Sequence, residues 1–250
     1  MRYVIEVAYD GTHFCGWQVQ SNGRTVQEEL NAAVFKAFGE KAAVTASGRT
    51  DAGVHALAQI CHVELNTAIA GEKLADALNQ RLPDDVSVLR SAVAPQGFDA
   101  NRSAKRKTYV YKMYFSPRRN PLYERYAVWI KGVADIGKMR EAADRFVGAH
   151  DFAAYCASGS QVKTTERTIY SFDIVSEGQF VSFEVCGNGF LYNMVRTLAG
   201  TVLWYSQGKL SAADTEASLE EGDRNKVGKT MPAKGLVLKS VDYGVELFKE

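Results

Sequence analysis

The sequence is short of the residues that build metal centres, disulfides and membrane anchors. It has only four cysteines, Cys15, Cys61, Cys156 and Cys186, among 250 residues. No two stand at Cys-x-x-Cys spacing, which argues against a structural zinc site. In a reducing compartment all four read as small apolar core residues. The four histidines, His13, His55, His62 and His150, show no His-Glu-x-x-His or comparable ligand spacing. Each reads as a packed or loop histidine, and no metal is implied. No apolar run approaches the about 20 residues that span a bilayer. The start MRYVIEVAYDG has no basic segment leading into an apolar one, so no secretory signal is expected and the default location is the cytoplasm. There is no short-period repeat, which excludes solenoids and propellers. A phosphate-binding Gly-Lys-Ser/Thr ending is missing, GNGFLY lacks the third glycine of a dinucleotide fingerprint, and no Gly-x-Ser-x-Gly marks a hydrolase.

A one-sided charge is missing too, since the formal net charge is +1. Its distribution is uneven. Residues 101–120, NRSAKRKTYVYKMYFSPRRN, hold seven Lys/Arg and no Asp/Glu, leaving the rest of the chain at net −6. Tyr109, Tyr111, Tyr114 and Phe115 lie among those cations. Basic side chains for phosphate and aromatic rings for stacking are the ingredients of RNA recognition. A solvated edge strand protected by lysines has the same composition, and composition alone does not separate the two. Hydrophobic residues make up 46% and charged residues 24%, the balance of an ordinary globular protein. The length suits one large domain or two modest ones.

Along the chain, Arg2–Tyr9 alternates as a strand with Tyr3, Ile5, Val7 and Tyr9 on one face. Thr25-Val-Gln-Glu28 has the capping-box pattern and opens a helix that Gly39 ends. Ala43–Ser47, Gln59–Leu65 and Val86–Val93 read as strands, and Gly71–Leu82 as a helix stopped by Pro83. Pro, Gly and polar residues cluster at Pro95–Ser103, which places a boundary there between halves 1–103 and 104–250. In the second half, Thr108–Phe115 is a strand, and Asp135 caps a helix that runs to Gly148. Thr168–Val175 and Phe180–Val185 form a hairpin across Glu177-Gly178. Gly187-Asn188-Gly189 leads into an apolar helix with Leu191, Met194, Val195, Leu198 and Val202 on one side. A polar helix covers Ser211–Glu221, and Leu236–Tyr243 is the last strand. The fold class is therefore α+β with mostly antiparallel pairing.

The loop GRTDAGVHA, Gly48–Ala56, sets Asp51 between two glycines beside an Arg-Thr pair. Glycine permits close backbone approach, so such a carboxylate is displayed. An aspartate that bonds its own backbone in an Asx-turn fits the same spacing and is the commoner fate of a lone loop aspartate. Residue identity carries the reading further. GRTDAGVHA closely resembles the signature loop of the TruA family of tRNA pseudouridine synthases. YDGTHFCGWQVQ with the following RTVQ, FDANRSAKRKTYVY, GAHDFAAY, GNGFLYNMVRTLAG and PAKGLVLKSVDY resemble further family motifs in the family's order. The chain departs from the pattern at Asn101, where relatives often carry arginine and where Arg102 follows one place later. Tyr205-Ser206 stands where many relatives have Val-Gly, a difference read as packing.

The resemblance implies isomerisation of uridine to pseudouridine at positions 38, 39 and 40 in the anticodon stem-loop of tRNAs, without a cofactor. It implies two α/β halves related by a pseudo-two-fold, joined through a mostly antiparallel sheet with a central cleft, and a homodimer whose partner is the tRNA anticodon arm. It makes Asp51 the catalytic aspartate, Arg196 its ion-pair partner and Tyr109 the ring that stacks on the uracil. Tyr111, two residues on, reads as a core tyrosine. Arg49 reaches into the RNA stem, and Leu236 walls the base. Arg102, Lys105, Arg106, Lys107, Arg118 and Arg119 are loosely assigned to phosphate. A tRNA-binding protein of the same fold without catalysis would lack one of Asp51, Tyr109 and Arg196, and all three are present. A glycosidase acting on free nucleosides would want a second carboxylate near Asp51. The first acid after the loop is Glu64.

Overall fold

The computed structural model describes residues 1–159 and 162–248. In chain order the elements are strand β1 (Arg2–Tyr9), helix α1 (Val26–Phe38), strands β2 (Thr45–Ala46) and β3 (His55–Glu64), helix α2 (Leu74–Asn79), and strands β4 (Val86–Val93), β5 (Arg106–Ser116) and β6 (Val128–Lys131). They continue with helix α3 (Ile136–Asp144), strands β7 (Gly148–Asp151), β8 (Glu166–Glu177) and β9 (Phe180–Gly187), helices α4 (Met194–Ser206) and α5 (Ala212–Glu220), and strand β10 (Leu236–Asp242). Among the described residues no helix is long and apolar enough to cross a membrane.

Two compact units result. One is Met1–Lys105 with the chain from Val237 onward, and the other is Arg106–Leu236. The expected second half, 104–250, thus differs from the observed unit at its end. The terminal segment belongs to the first unit because β10 runs parallel to β3, with Val237 opposite His55 and Leu238 opposite Ala56.

In the first unit the strand order is β4-β1-β3-β10, and β2 pairs with β3. β1 is antiparallel to both β3 and β4. Its alternation predicts one buried face, yet Val4 is as fully buried as Tyr3, Ile5 and Val7. The reason is a second cover. Val4 and Ile60 pack with Phe98, Ala100, Tyr243 and Phe248 in one apolar cluster. The Tyr243 hydroxyl donates to the Ala100 carbonyl at 2.6 Å, and its ring lies 5.0 Å from that of Phe98. The FDAN motif is therefore a lid on the sheet. Its turn is held by Asp99, whose Oδ1 accepts from the Asn101 and Arg102 amides at 2.9 Å each. Those amides hold the Asp99 carboxyl below the usual carboxylate range. Asn101 and Arg102 are both exposed on this turn, so the departure from the family pattern disturbs no packing.

Thr25 caps α1 as expected, accepting from the Glu28 amide at 3.4 Å, and Gly39 ends it in the left-handed region at φ 70°. The helix buries Val26, Leu30, Ala33 and Val34. α2 is shorter than the spacing predicts. A 3-10 turn at Gly71–Lys73 precedes it, and it stops at Asn79. The Asn79 side chain pairs with both backbone groups of Val88 at 2.8 Å, and this competes with another helical turn.

In the second unit the order is β5-β9-β8-β7, all antiparallel, with β6 parallel to β5. The β8–β9 hairpin turns at Gly178, φ 58°, where the sequence places it. β6 and β7 have four residues each, too few for a readable period. The helix expected to run to Gly148 ends at Asp144, and Gly148 is instead the first residue of β7. α4 presents buried residues on nearly every side, including Leu198, Val202 and Leu203. α5 carries a capping box between Ser211 and Asp214. Each unit is thus a mostly antiparallel sheet with helices, the α+β class expected. The pseudo-two-fold rests on the resemblance alone.

Candidate active site

Asp51 lies in the loop between β2 and β3, half-buried, with Arg49 exposed two residues before it. The turn closes on itself, since the Val54 amide donates to the Asp51 carbonyl at 3.1 Å. Its base is held by Gln59, which donates to the Gly48 carbonyl at 2.8 Å and accepts from Ser47. Its outer side is gripped by the segment after β1. The Trp17 amide donates to the Thr50 carbonyl at 3.0 Å, and the Gly53 amide donates to the Phe14 carbonyl at 3.2 Å. The Tyr9 and Thr50 hydroxyls meet at 2.8 Å. His55 Nδ1 lies 3.0 Å from the Gly11 amide and 3.1 Å from Asp10, tying the start of β3 to the same segment.

Two glycines make this contact possible. A Cβ at Gly11 would sit 2.0 Å from the Val54 carbonyl oxygen, and one at Gly16 would sit 2.7 Å from that of Thr50. Gly16 also has φ +92°, which disfavours any side chain there. Arg24 fixes the gripping segment from behind. Its guanidinium bonds Asp85 at 2.7 and 3.0 Å and Glu29 at 2.5 Å, and lies 4.3 Å over the Phe14 ring. Residues 10–24 and 48–54 are thus one mechanical piece. The sequence signal for it, YDGTHFCGW, was visible without its purpose.

The second unit brings together Tyr109, Tyr111, Arg196 and the segment leading to Leu236. Tyr109 on β5 is buried to 9% exposure, with Phe190 edge-on to it at 5.2 Å. Tyr111 is fully buried, as a core tyrosine should be, and its hydroxyl donates to the Pro232 carbonyl at 2.8 Å. Burial pushes that phenol far above its ordinary value, and the nearby Arg196 charge pulls the other way. Arg196 sits on the first turn of α4. Its Nε donates to the Met231 carbonyl at 2.7 Å and its Nη1 to Asn193 Oδ1 at 2.5 Å. Asn193, at φ 62°, is the only non-glycine residue in the left-handed region among the described residues. Asparagine tolerates that conformation better than most. Its side chain makes no cap bond to the helix. It holds Arg196 instead.

The RTLAGT stretch explains how Met231 comes so near. A Cβ at Gly200 would lie 1.9 Å from the Lys229 carbonyl oxygen, so α4 and residues 228–231 touch backbone to backbone. Thr201 accepts from the Gly228 amide at 2.9 Å, and the Thr197 and Thr230 hydroxyls meet at 3.0 Å. Gly235 then packs on the Tyr111 ring, and a Cβ there would be 2.9 Å from it. Leu236, buried, follows directly. Phe190, Asn193 and Gly235 are the residues that motif spacing did not single out.

The basic stretch is not one patch. Lys107 stands near the start of β5 and Arg118 and Arg119 lie just past its end. At about 3.3 Å per residue that separates them by roughly 30 Å. Arg106 stacks over Tyr170 at 4.9 Å and Arg119 over Trp129 at 5.4 Å. Arg102, Lys105, Arg106, Arg118 and Arg119 are exposed, whereas Lys107 is half-buried. The polar hollow lined by Arg2, Lys41, His62 and Glu64 is also remote from Asp51. It lies at the far end of β3, roughly 20–25 Å along the strand from the loop.

The family model described as tRNA pseudouridine synthase matches residues 5–100 and 142–244. The chain belongs to the tRNA pseudouridine synthase family. Asp51 lies in the first matched segment and Arg196 and Leu236 in the second, with Tyr109 and the basic stretch between them. A synthase of this family from Citrifermentans bemidjiense, named tRNA pseudouridine synthase A, is 45% identical over 245 residues, 97% of this chain and 97% of that protein. One of the same name from Ruminiclostridium cellulolyticum is 42% identical over 240 residues, 96% and 98% of the two chains. Among solved structures, a chain of a Cbf5–Nop10–Gar1 complex aligns with 80% of this synthase and 45% of its own length, at 16% identity and a TM-score of 0.38.

Proposed function

We propose that this chain converts uridine to pseudouridine at positions 38, 39 and 40 of the tRNA anticodon stem-loop, with Asp51 as the catalytic carboxylate. Uridine isomerisation on tRNA is the activity of the family to which the chain belongs. The observation that carries the site assignment is the rigid display of Asp51. Its loop is bonded at its base by Gln59 and along its side by Trp17, Phe14 and Tyr9. Catalysis by a positioned carboxylate needs such preorganisation.

The chemistry is an internal rearrangement. The N1–C1′ bond breaks, a C5–C1′ bond forms, the hydrogen on C5 leaves as a proton, and N1 gains one. Nothing is oxidised. Asp51 attacks an electrophilic carbon or stabilises charge developing at C1′. Arg196 is its cationic partner and favours the ionised form. Tyr109 stacks on the uracil and keeps the freed base in place, with Phe190 setting the ring's angle. Leu236 walls the base. Arg49 inserts into the stem and offsets part of the few kcal/mol that flipping costs. Arg102, Lys105, Arg106, Lys107, Arg118 and Arg119 contact phosphate. The chain acts as a homodimer in the cytoplasm, on the anticodon arm.

The test is tritium release from tRNA labelled at uridine C5, with wild type and Asp51→Asn compared. Release by wild type alone is expected, with tRNA binding kept by the variant. Release by both overturns the role of Asp51. Release by neither, with tight binding, points to a tRNA-binding protein without catalysis.

A further inference from the structure

An asparagine just before a helix ordinarily has an extended backbone, and its side chain accepts from an amide of the first turn. Asn193 does neither. Its backbone is left-handed at φ 62°, and its side chain makes no cap bond to α4. A side chain in that region costs conformational energy, and such outliers gather at functional sites. The conformation serves a different contact. Asn193 stands three residues before Arg196, and its Oδ1 accepts from the Arg196 Nη1 at 2.5 Å. A guanidinium only donates, so the amide's oxygen is the atom that faces it.

A second hold comes from Met231. The Arg196 Nε donates to the Met231 carbonyl at 2.7 Å, and the Met231 amide donates back to the Arg196 carbonyl at 3.2 Å. Met231 is buried. The chain leading to it lies directly on α4 at Gly228, where a Cβ would be 2.3 Å from the Gly200 carbonyl. One bond leaves a planar guanidinium able to swing about that bond. Bonds at both Nε and Nη1 fix its plane and its heading. These two acceptors are neutral, an amide oxygen and a backbone carbonyl. They orient the charge without cancelling it, and burial keeps the nearby Tyr111 a neutral phenol.

We propose that Asn193 is a positioning residue for Arg196, held in the left-handed region so that a neutral acceptor aims the guanidinium and leaves its charge for the reaction. This rests on the proposed isomerisation, in which Arg196 is the cationic partner of the catalytic carboxylate. Asn193 acts through Arg196 alone and touches no reacting atom.

The experiment compares wild type, Asn193→Gly and Asn193→Asp. Glycine adopts this backbone freely, so Asn193→Gly removes the acceptor without straining the chain. Asn193→Asp keeps an acceptor and adds a negative charge. Single-turnover tritium release from tRNA labelled at uridine C5 is measured beside tRNA affinity. NMR relaxation of the Arg196 Nε–H, assigned by its loss in Arg196→Lys, reads the order of the guanidinium. Asn193→Gly is expected to react about tenfold or more slowly, with affinity within about twofold of wild type and a more mobile Nε–H. Asn193→Asp is expected to keep the Nε–H as rigid as in wild type and to react about tenfold slowly, because the added charge competes for the arginine. An Asn193→Gly rate within about twofold of wild type, or an affinity that falls as far as the rate, overturns the positioning role. So does an Nε–H equally rigid in wild type and Asn193→Gly, a result that needs no activity. A wild-type rate in Asn193→Asp overturns the neutral acceptor. If Asn193→Gly does not fold, Asn193→Asp decides: a rigid Nε–H with slow release supports the proposal, and a mobile one overturns it. No tritium release by wild type refutes the isomerisation, and the NMR comparison still decides whether Asn193 holds Arg196.

Discussion

Gly16→Ala separates the display of Asp51 from its chemistry, because the nearest atoms to a Cβ at residue 16 are all loop backbone. An added Cβ would lie 2.7 Å from the Thr50 carbonyl oxygen and 3.2 Å from the Ala52 nitrogen and Asp51 carbonyl carbon. An ordinary carbon–oxygen contact is about 3.3 Å or more, so the loop must retreat by roughly 0.6 Å. The backbone at φ +92° adds about 1–2 kcal/mol of strain for a residue with a side chain. Losing the Trp17–Thr50 hydrogen bond removes about 0.5–1.5 kcal/mol more. The sum is about 2–3 kcal/mol, which for a chain of this length lowers Tm by roughly 5–10 °C. A shift of that size at a catalytic group costs about 10- to 100-fold in rate. Gly39→Ala is the control. It has φ +70° and nothing within 4 Å of the new Cβ, so it carries the strain alone. Single-turnover tritium release at 25 °C, with enzyme in excess, reads the chemical step in both. The expected pattern is a slow Gly16→Ala and an unchanged Gly39→Ala. Equal Tm losses with both rates within twofold of wild type would refute the argument that the loop's position matters.

Glu124 gives a pH test. It accepts from Lys234 and from the Tyr114 hydroxyl at 2.5 and 2.6 Å, and these two, Lys234 first, hold its carboxyl below the usual carboxylate range. A depressed native value means its stabilisation is complete above the ordinary carboxylate pKa and is lost as pH falls through the lowered one. The Tm gap between wild type and Glu124→Gln should therefore be widest near neutrality and close below about pH 4, and a gap that ignores pH removes the ion pair from the account. Neutralising Arg118 and Arg119 together should make the salt dependence of tRNA affinity shallower by about 1.4–1.8 in the log–log slope, two phosphates' worth. An unchanged slope means neither residue faces phosphate.

Much of the fold was legible because its signals are local. β1, β4 and β10 begin where alternation begins, and Thr25, Gly39 and Ser211 end or start helices by their own chemistry. What escaped was decided by distant residues. The double burial of β1 depends on Phe98 and Tyr243, and no window around Val4 contains them. The shortened α2 depends on Asn79 reaching Val88. The site shows the same division. Asp51 and Arg196 stood out by motif identity, but the grip of Gly11 and Gly16 on the loop spans about forty residues of chain. The run 101–120 read as one patch because sequence counts charges and ignores the length of β5.

The parallel alignment of β10 with β3 has a consequence for the order of assembly during synthesis. The ribosome completes Lys105 about 130 residues before it reaches Val237. At about 5–20 residues per second, that delay is on the order of ten seconds. Throughout it, Val4 and Ile60 lack the Tyr243 and Phe248 side chains that later cover them. The second unit, Arg106–Leu236, is continuous and waits for nothing downstream. The nascent enzyme therefore matures from its middle outward, and the unit bearing the aspartate is the last to close.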